Sequence, residues 1–343
     1  MRAAVFYGPE DIRVENVAEP ELPAGGLVIQ TAATGICGSD LRTYRFGHPK
    51  ILSKQILGHE LAGVVVQSDC VDYSVGTAVA VAPGTPCLEC EYCRRGKQNM
   101  CRFRTLLGRE RPGGLAEQFA VSGLAVRAGV VVKVPDTLPL RYAPVAEPLN
   151  AVLNGQDRAQ IGPYQRVLVL GLGPIGVLHV ATARNRGAEM VIGADPLEGR
   201  VASAADMLGE KNLIQIAGDW ELDVLRRTGG DGFDVVVIAN TAPQAFDTAM
   251  RLIAPQGRIV VFAGLSKDAP AVAVNLNDVH YREIQVVGAF GATPRHFRAA
   301  VQWLGEGHLD LDRFVTGQIP IDDVVEGLEA VGRGEGVKTM VVF

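Results

Sequence analysis

Four thiols crowd one short stretch of this 343-residue chain: Cys87, Cys90 and Cys93 at three-residue steps, then Cys101. Thiolates this close can converge on one tetrahedral zinc, and four of them fill it, so such an ion holds a loop and does no chemistry. An iron–sulfur cluster uses similar spacing, but the absence of a second cysteine set and the presence of a nucleotide-binding pattern favour zinc. A second set of ligand-type residues is spread out: Cys37, the pair His59-Glu60, and Glu147. Taken singly, Cys37 reads equally well as a buried thiol and His59 as a satisfied turn histidine. Together they could leave a zinc position open, and one closed plus one open zinc points to a metalloenzyme.

A third constellation is Gly171-Leu172-Gly173-Pro174-Ile175-Gly176, which follows the apolar run 166–170 and precedes the helical run 177–186. Gly171 permits a tight turn, Gly173 lets backbone approach a pyrophosphate, and Gly176 allows helix and strand to pack closely. Asp195 ends the next strand, where its carboxylate could accept an adenine-ribose diol and repel a 2′-phosphate, favouring NAD over NADP. It reads equally as a cap for the following helix. Arg200 is near enough in sequence to soften the repulsion.

The elements that must position these residues fall into two textures. From Met1 to about Pro148, short β-rich runs are broken by Gly and Pro (27–32, 61–67, 78–82, 116–121 and 129–134), which predicts a small barrel with long loops. Beyond it, apolar runs at 166–170, 189–194, 211–216, 233–239, 257–263 and 283–289 alternate with helical stretches. Such alternation predicts a parallel sheet covered on both faces. The tail carries helical stretches at 294–305 and 321–331 and a final strand at 338–343. Too small to fold alone, it is expected to return to the first domain, leaving a ligand cleft between the two.

Composition narrows the function. Net charge is −5, with 33 Lys+Arg against 38 Asp+Glu, so no basic excess supports nucleic-acid binding. Neither a signal-peptide pattern nor an uncharged membrane-length window is present, and a cytoplasmic enzyme is expected. All six cysteines precede position 102, which in a reducing compartment argues for metal ligation over disulfides. The sixth, Cys70, reads as a small packed thiol.

Cys37-Gly38-Ser39-Asp40, Gly58-His59-Glu60, the four-cysteine lobe, Glu147-Pro148-Leu149 and the glycine-rich turn occur in one order. In that order, and end to end, the chain resembles the zinc-dependent medium-chain dehydrogenases, in their sorbitol (polyol) and threonine dehydrogenase branch. The resemblance implies an α/β fold, a Rossmann doubly wound parallel sheet inserted into a GroES-like β-barrel catalytic domain. The catalytic domain would span 1–150 and 291–343, with the zinc lobe at about 84–104, and the NAD-binding domain 151–290.

It further implies two zinc ions per chain and NAD(H). Cys37, His59, Glu60 (directly or through water) and Glu147 would face the catalytic zinc, while Cys87, Cys90, Cys93 and Cys101 would hold the structural one. Asp40 would fix the His59 tautomer from behind, and Ser39 would relay the substrate proton. Zinc would lower the pKa of a substrate hydroxyl while hydride passes to the nicotinamide C4. Gly171, Gly173, Pro174, Ile175, Gly176, Asp195 and Arg200 would serve the cofactor. The partner would be a small alcohol or ketone, and the assembly a homodimer or homotetramer, with the strand at 283–289 a candidate for pairing across a two-fold axis.

Departures from the family bear on substrate. Arg42 stands where many relatives have His, Asp69 where Gly is usual, Gly76-Thr77 where Gly-Asp is usual, and Ile238 where Glu is common. The stretch Gly288-Ala289-Phe290-Gly291 lacks the Arg that anchors polyol in sorbitol dehydrogenases. Arg42, Arg45, Lys50 and Lys54, with Arg102, Arg104, Arg109 and Arg111, are either solvated loop charge or a positive mouth for a phosphorylated or other anionic alcohol. Arg42 and Arg109 are the candidates tied to substrate. The expected function is transfer of hydride between NAD and a secondary alcohol of a polyol, sugar or cyclitol, with a threonine-type dehydrogenase or a catalytically silent relative as the alternatives. His48, His179, His280, His296 and His308 have no ligand spacing and read as structural or surface, and Trp303 as packing.

Overall fold

The computed structural model describes residues 1–51, 54–209, 211–265 and 269–343. The chain divides into two compact units, Met1–Asn150 with Ala292–Phe343, and Ala151–Gly291.

In the first unit, strand Leu27–Gly35 is the axis of a seven-stranded sheet. On one side it pairs antiparallel with Glu60–Ser68 along nearly its whole length. On the other, its first half pairs with Gln118–Val121 and its last residues with Lys338–Val342. The tail thus supplies a strand to this sheet. Leu27, Val28, Ile29, Ala33, Leu61, Ala62, Val65 and Phe119 are fully buried, which is what drives three sequence-distant strands together.

That register decides the chemistry. Gly35 lies opposite both Glu60 and Met340, so the end of one strand, the start of the second and the start of the third converge at one corner of the sheet. Immediately past Gly35 the chain turns into helix Gly38–Phe46, which packs Tyr44 and Leu41 against Val324 and Leu328 of helix Val324–Arg333.

The second unit holds a six-stranded parallel sheet in the order 213–215, 190–195, 166–170, 233–238, 253–261, 285–288. This is a doubly wound order that starts at the centre and reverses, and it leaves a crevice beyond the strand ends where nucleotides bind. Val167, Leu168, Val169, Val235, Val236 and Val237 are all fully buried, as a sheet covered on both faces requires. The α/β class read from the sequence is the class observed. One strand is longer than the sequence suggested: Ile253–Val261 runs through Pro255 and Gly257, because Ile253 pairs with Phe233 and, after an irregularity, Arg258 resumes opposite Val235. His179 is buried edge-on against Phe262 at 4.6 Å, and burial presses its pKa down to about 3, so it is a neutral packing group.

Candidate metal centres and cofactor site

Cys37, His59 and Glu60 offer a sulfur, an imidazole nitrogen and a carboxylate oxygen that all lie within 4.8 Å of one another. Cys37 sits in extended backbone as the N-cap of helix Gly38–Phe46, with its sulfur accepting from the Asp40 N–H while the Asp40 carboxylate accepts from the Cys37 N–H at 3.1 Å. Asp40 also accepts from His59 Nδ1 at 3.1 Å, and this fixes Nδ1 as a protonated nitrogen. Nε2 lies on the side of Ser39 Oγ, 3.4 Å away, and offers its lone pair once its proton gives way to a metal cation.

Burial alone would raise the Asp40 pKa, but the charge and hydrogen bond of His59 hold it below the usual carboxylate value. Burial would likewise depress His59, yet Asp40 and Cys37 outweigh it and raise its pKa well above the ordinary value. A half-buried imidazole flanked by the Asp40 carboxylate and the Cys37 sulfur is a site that favours a cation.

Gly58 aims His59. It has φ +86°, and a Cβ there would press on Leu115 and Thr34 at 2.8 Å, so only glycine makes this turn without displacing its neighbours. Glu147, in the first turn of helix Ala146–Arg158, is outside the close triad but near enough to feel His59 and Glu60. Burial raises its pKa to about 7.

One participant had no signal strong enough to single it out. Lys338, the first residue of the last strand, is buried and donates to Ile36 O at 2.8 Å and to Glu60 Oε1 at 2.6 Å. A lysine opening an apolar strand was the only hint. Glu60 therefore has an ion-pair partner opposite the metal set.

The four-cysteine lobe is equally well formed. Cys87 Sγ lies 3.5 Å from Cys101 Sγ and 3.9 Å from Cys93 Sγ. A zinc tetrahedron with Zn–S near 2.3 Å has edges of about 3.8 Å, so the donor set fits that ion. The Cys93 N–H and its neighbours lower Cys90 to about 6, whereas burial pushes Cys93 up to about 12. Cys70 lies apart from both clusters and is half-buried.

In the second unit, Gly171 has φ +105° and donates to Ala194 O at 2.7 Å, closing the turn. A Cβ on Gly176 would overlap Gly171 O, whereas one on Gly173 would meet nothing within 4 Å. Glycine is thus needed at the first site for close packing, and open space faces the second. Gly173, Pro174 and Ile175 form the half-exposed rim at the start of helix Pro174–Asn185, where backbone N–H groups can take a pyrophosphate. Asp195 is buried and accepts from Leu172 N–H at 2.8 Å and Leu197 N–H at 2.9 Å, with Arg200 Nη1 at 3.6 Å. It does not cap the next helix, whose N-cap is Leu197, but ties the glycine-rich turn to the strand end. Beyond the same sheet edge, a cavity of about 410 Å³ is lined by Asn240, Pro243, Phe246, Ala263 and Leu265. The donors and the glycine cradle fit zinc and a dinucleotide.

Of the two arginines tied to substrate, Arg42 is exposed on helix Gly38–Phe46, and Arg109 is half-buried after strand Thr105–Leu106. The loop departures have local uses, since Asp69 accepts from Gly25 N–H at 2.7 Å.

Comparison with known proteins agrees with this geometry. Residues 23–136 match the alcohol dehydrogenase GroES-like domain and residues 174–306 the zinc-binding dehydrogenase domain. An erythritol/L-threitol dehydrogenase of Mycolicibacterium smegmatis is 32% identical over 100% of this chain and 97% of its own length. The chain belongs to the zinc-dependent medium-chain dehydrogenases. A sorbitol dehydrogenase of Bombyx mori is 30% identical to this family member over 99% of the chain and 97% of its own length. The structure of a zinc-binding dehydrogenase from Sinorhizobium meliloti 1021, bound to NADP, superposes on it with a TM-score of 0.91 at 28% identity, covering 100% of this chain and 99% of that one. The Rossmann and GroES-like folds of this dehydrogenase are therefore those of its family, and no helix among the described residues is long and apolar enough to cross a membrane.

Proposed function

We propose that the protein oxidises a secondary hydroxyl of a polyol, sugar or cyclitol to the ketone with NAD, and reduces the ketone in reverse. The convergence of Cys37, His59 and Glu60 on one point, with Nδ1 of His59 committed to Asp40, is the observation that carries this reading. The relatives named for sorbitol and for erythritol/L-threitol support the substrate class.

Cys37, His59 and Glu60, with Glu147 alongside, would hold the catalytic zinc, and Cys87, Cys90, Cys93 and Cys101 the structural one. Held there, zinc would supply Lewis-acid polarisation of an alcohol oxygen, and NAD would supply the hydride acceptor. Asp40 keeps the imidazole in one tautomer and orientation. Ser39 Oγ, beside His59 Nε2, takes the hydroxyl proton and hands it to water, since the neighbouring family histidine is replaced here by exposed Arg42. Glu147, titrating at about 7, can hold or release a proton near neutrality. Gly173 to Gly176 would seat the pyrophosphate and Asp195 the adenine ribose.

We further propose a cytoplasmic homo-oligomer. Six free cysteines, five of them in the two clusters, suit a reducing compartment. Strand Gln285–Gly288 is the sheet's edge and exposes Val286, with Phe290 just beyond it, a surface suited to a second copy. Light scattering at micromolar concentration checks the oligomer. NADH absorbance with polyols, cyclitols and L-threonine checks the activity. Turnover of L-threonine alone would move the assignment to amino alcohols, and zinc-loaded protein inert to every alcohol would end it.

A further inference from the structure

The four-cysteine lobe is closed at its base, where strand Gly84–Thr85 pairs antiparallel with strand Thr105–Leu106. The chain leaving that base makes a tight turn before it rejoins the barrel. Leu107 N–H donates to Pro83 O at 3.0 Å, Gly108 N–H to Arg111 O at 2.8 Å and Arg111 N–H to Leu106 O at 3.1 Å. Glu110 locks the turn from within: one carboxylate oxygen accepts from Leu106 N–H at 3.0 Å, and the other accepts from Lys50 Nζ at 2.9 Å. A second tie runs from Gln55 Nε2 to the Arg109 carbonyl at 2.8 Å. Lys50 and Gln55 lie in the segment that leads into Gly58 and His59.

Past the turn, backbone lies directly on backbone. Gly113 N–H donates to Ile56 O at 2.8 Å, Leu115 N–H to Leu57 O at 3.0 Å and Gly114 N–H to Gly58 O at 3.1 Å. The last of these holds the carbonyl of the peptide group that joins Gly58 to His59. A Cβ on Gly113 would lie 2.2 Å from that oxygen and 2.3 Å from Leu57 O, and one on Gly108 would lie 2.7 Å from the same Gly58 oxygen. Thr34 Oγ1 donates to Gly114 O at 2.6 Å and Ala4 N–H to Leu115 O at 2.8 Å, so the far end is fastened into the barrel. A side chain can rotate away from a neighbour, but a peptide group packed against other backbone has no such freedom. The direction in which His59 leaves the chain is thus tied to the placement of this turn.

We infer that the segment Leu106–Gly114 is a positioning element for His59, with Glu110 locking its turn and Gly113 allowing its close approach to Gly58. This rests on the reading of Cys37, His59 and Glu60 as a metal set and deepens it. Asp40 fixes which nitrogen of the ring is protonated, and this segment fixes where the ring starts from.

The test measures zinc affinity by chelator competition and the visible absorption of the cobalt(II)-substituted protein in Glu110→Ala, Glu110→Gln and Gly113→Ala. A site of one sulfur, one nitrogen and carboxylate oxygen absorbs differently from a site of four sulfurs, so the two metals are read separately. Glu110→Ala should weaken zinc at the Cys37 set by about 3-fold to 10-fold and shift its cobalt bands, with the four-cysteine bands unmoved. Glu110→Gln, which keeps an acceptor for the Leu106 N–H, should stay within about 2-fold of wild type. Gly113→Ala, which must displace the Gly58 carbonyl, should weaken the same site by about 10-fold or more. Wild-type affinity and cobalt bands in Glu110→Ala overturn the inference, whether or not Gly113→Ala folds. Equal losses at both metal sites overturn it too, because they would report general loosening. Turnover separates this from the dehydrogenase reading: protein whose Cys37 site responds as expected but which oxidises no alcohol leaves the positioning role standing and sinks the assigned activity.

Discussion

Lys338 and Glu60 form an ion pair buried at the corner of the barrel sheet, Nζ to Oε1 2.6 Å, between residues 278 positions apart. Lys338 also donates to Ile36 O at 2.8 Å, so one ammonium ties the segment leading into Cys37 to the carboxylate that follows His59. The pair raises the Lys338 pKa against the pull of burial, so the ammonium stays charged. Glu60 is thereby held between two claims, the lysine on one side and the metal set on the other. Removing the lysine leaves a buried carboxylate alone, an arrangement that costs roughly 3–5 kcal/mol. Lys338→Met is expected to lose that much stability in chemical denaturation of the metal-free protein, where no cation stands in for the lysine. A loss below about 1 kcal/mol would mean that the pair does not hold the corner together.

Gly35 gives this pair its room. A Cβ at Gly35 would overlap the Glu60 carboxylate and come within 3.0 Å of Lys338 Cε, with no backbone strain involved. Gly35→Ala must therefore push Glu60 away from the corner it shares with Cys37 and His59. Metal analysis should fall from about two zinc ions per chain to about one, with the four-cysteine site keeping its ion. Two full equivalents in the variant would show that Glu60 is not needed to hold the metal.

The cysteine spacing and the glycine-rich turn were legible because both are local: three-residue steps place thiols on one small loop, and a turn between an apolar strand and a helix reads directly. The strand Arg166–Leu170 and the helix Pro294–Gly305 were found at their observed bounds for the same reason, since a continuous apolar run and a Pro-initiated amphipathic stretch need no tertiary context. The helix Gly38–Phe46 was not legible, because Gly38, Ser39, Thr43 and Tyr44 carry no helical preference, and it forms through the Cys37–Asp40 capping box and packing on helix Val324–Arg333. Lys338 was beyond reach for a different reason. Its role depends on register between distant strands and on the buried charge of Glu60, neither of which is written in any local pattern.

Glu147 makes metal binding depend on pH in a defined direction. Its carboxyl titrates at about 7 against an ordinary 4.5, with burial the leading cause. Between those values the folded protein holds a proton that the unfolded chain has lost, so this group makes the metal-free protein less stable as pH rises through the window. Zinc works the other way, because a cation favours the deprotonated carboxylate. Apparent zinc affinity at the Cys37 site should rise as pH passes about 7, measured by chelator competition, and Glu147→Gln should remove that component of the rise. An identical pH profile in the variant would place the titration elsewhere.

Arg200 is placed to bear on the choice between NAD and NADP. Asp195 gives its two oxygens to the N–H groups of Leu172 and Leu197, and its charge disfavours a 2′-phosphate at that strand end. Arg200 lies 3.6 Å from one of those oxygens with its side chain 43% exposed, so it offsets the carboxylate and can itself turn to meet a phosphate. Discrimination then comes from the difference between a buried anion that cannot move and an exposed cation that can. Arg200→Ala removes only the second, and kcat/KM with NADP should fall about 10-fold while that with NAD changes less than about 3-fold. Equal losses with both cofactors would show that Arg200 acts by supporting the turn around Asp195, with no part in reading the ribose.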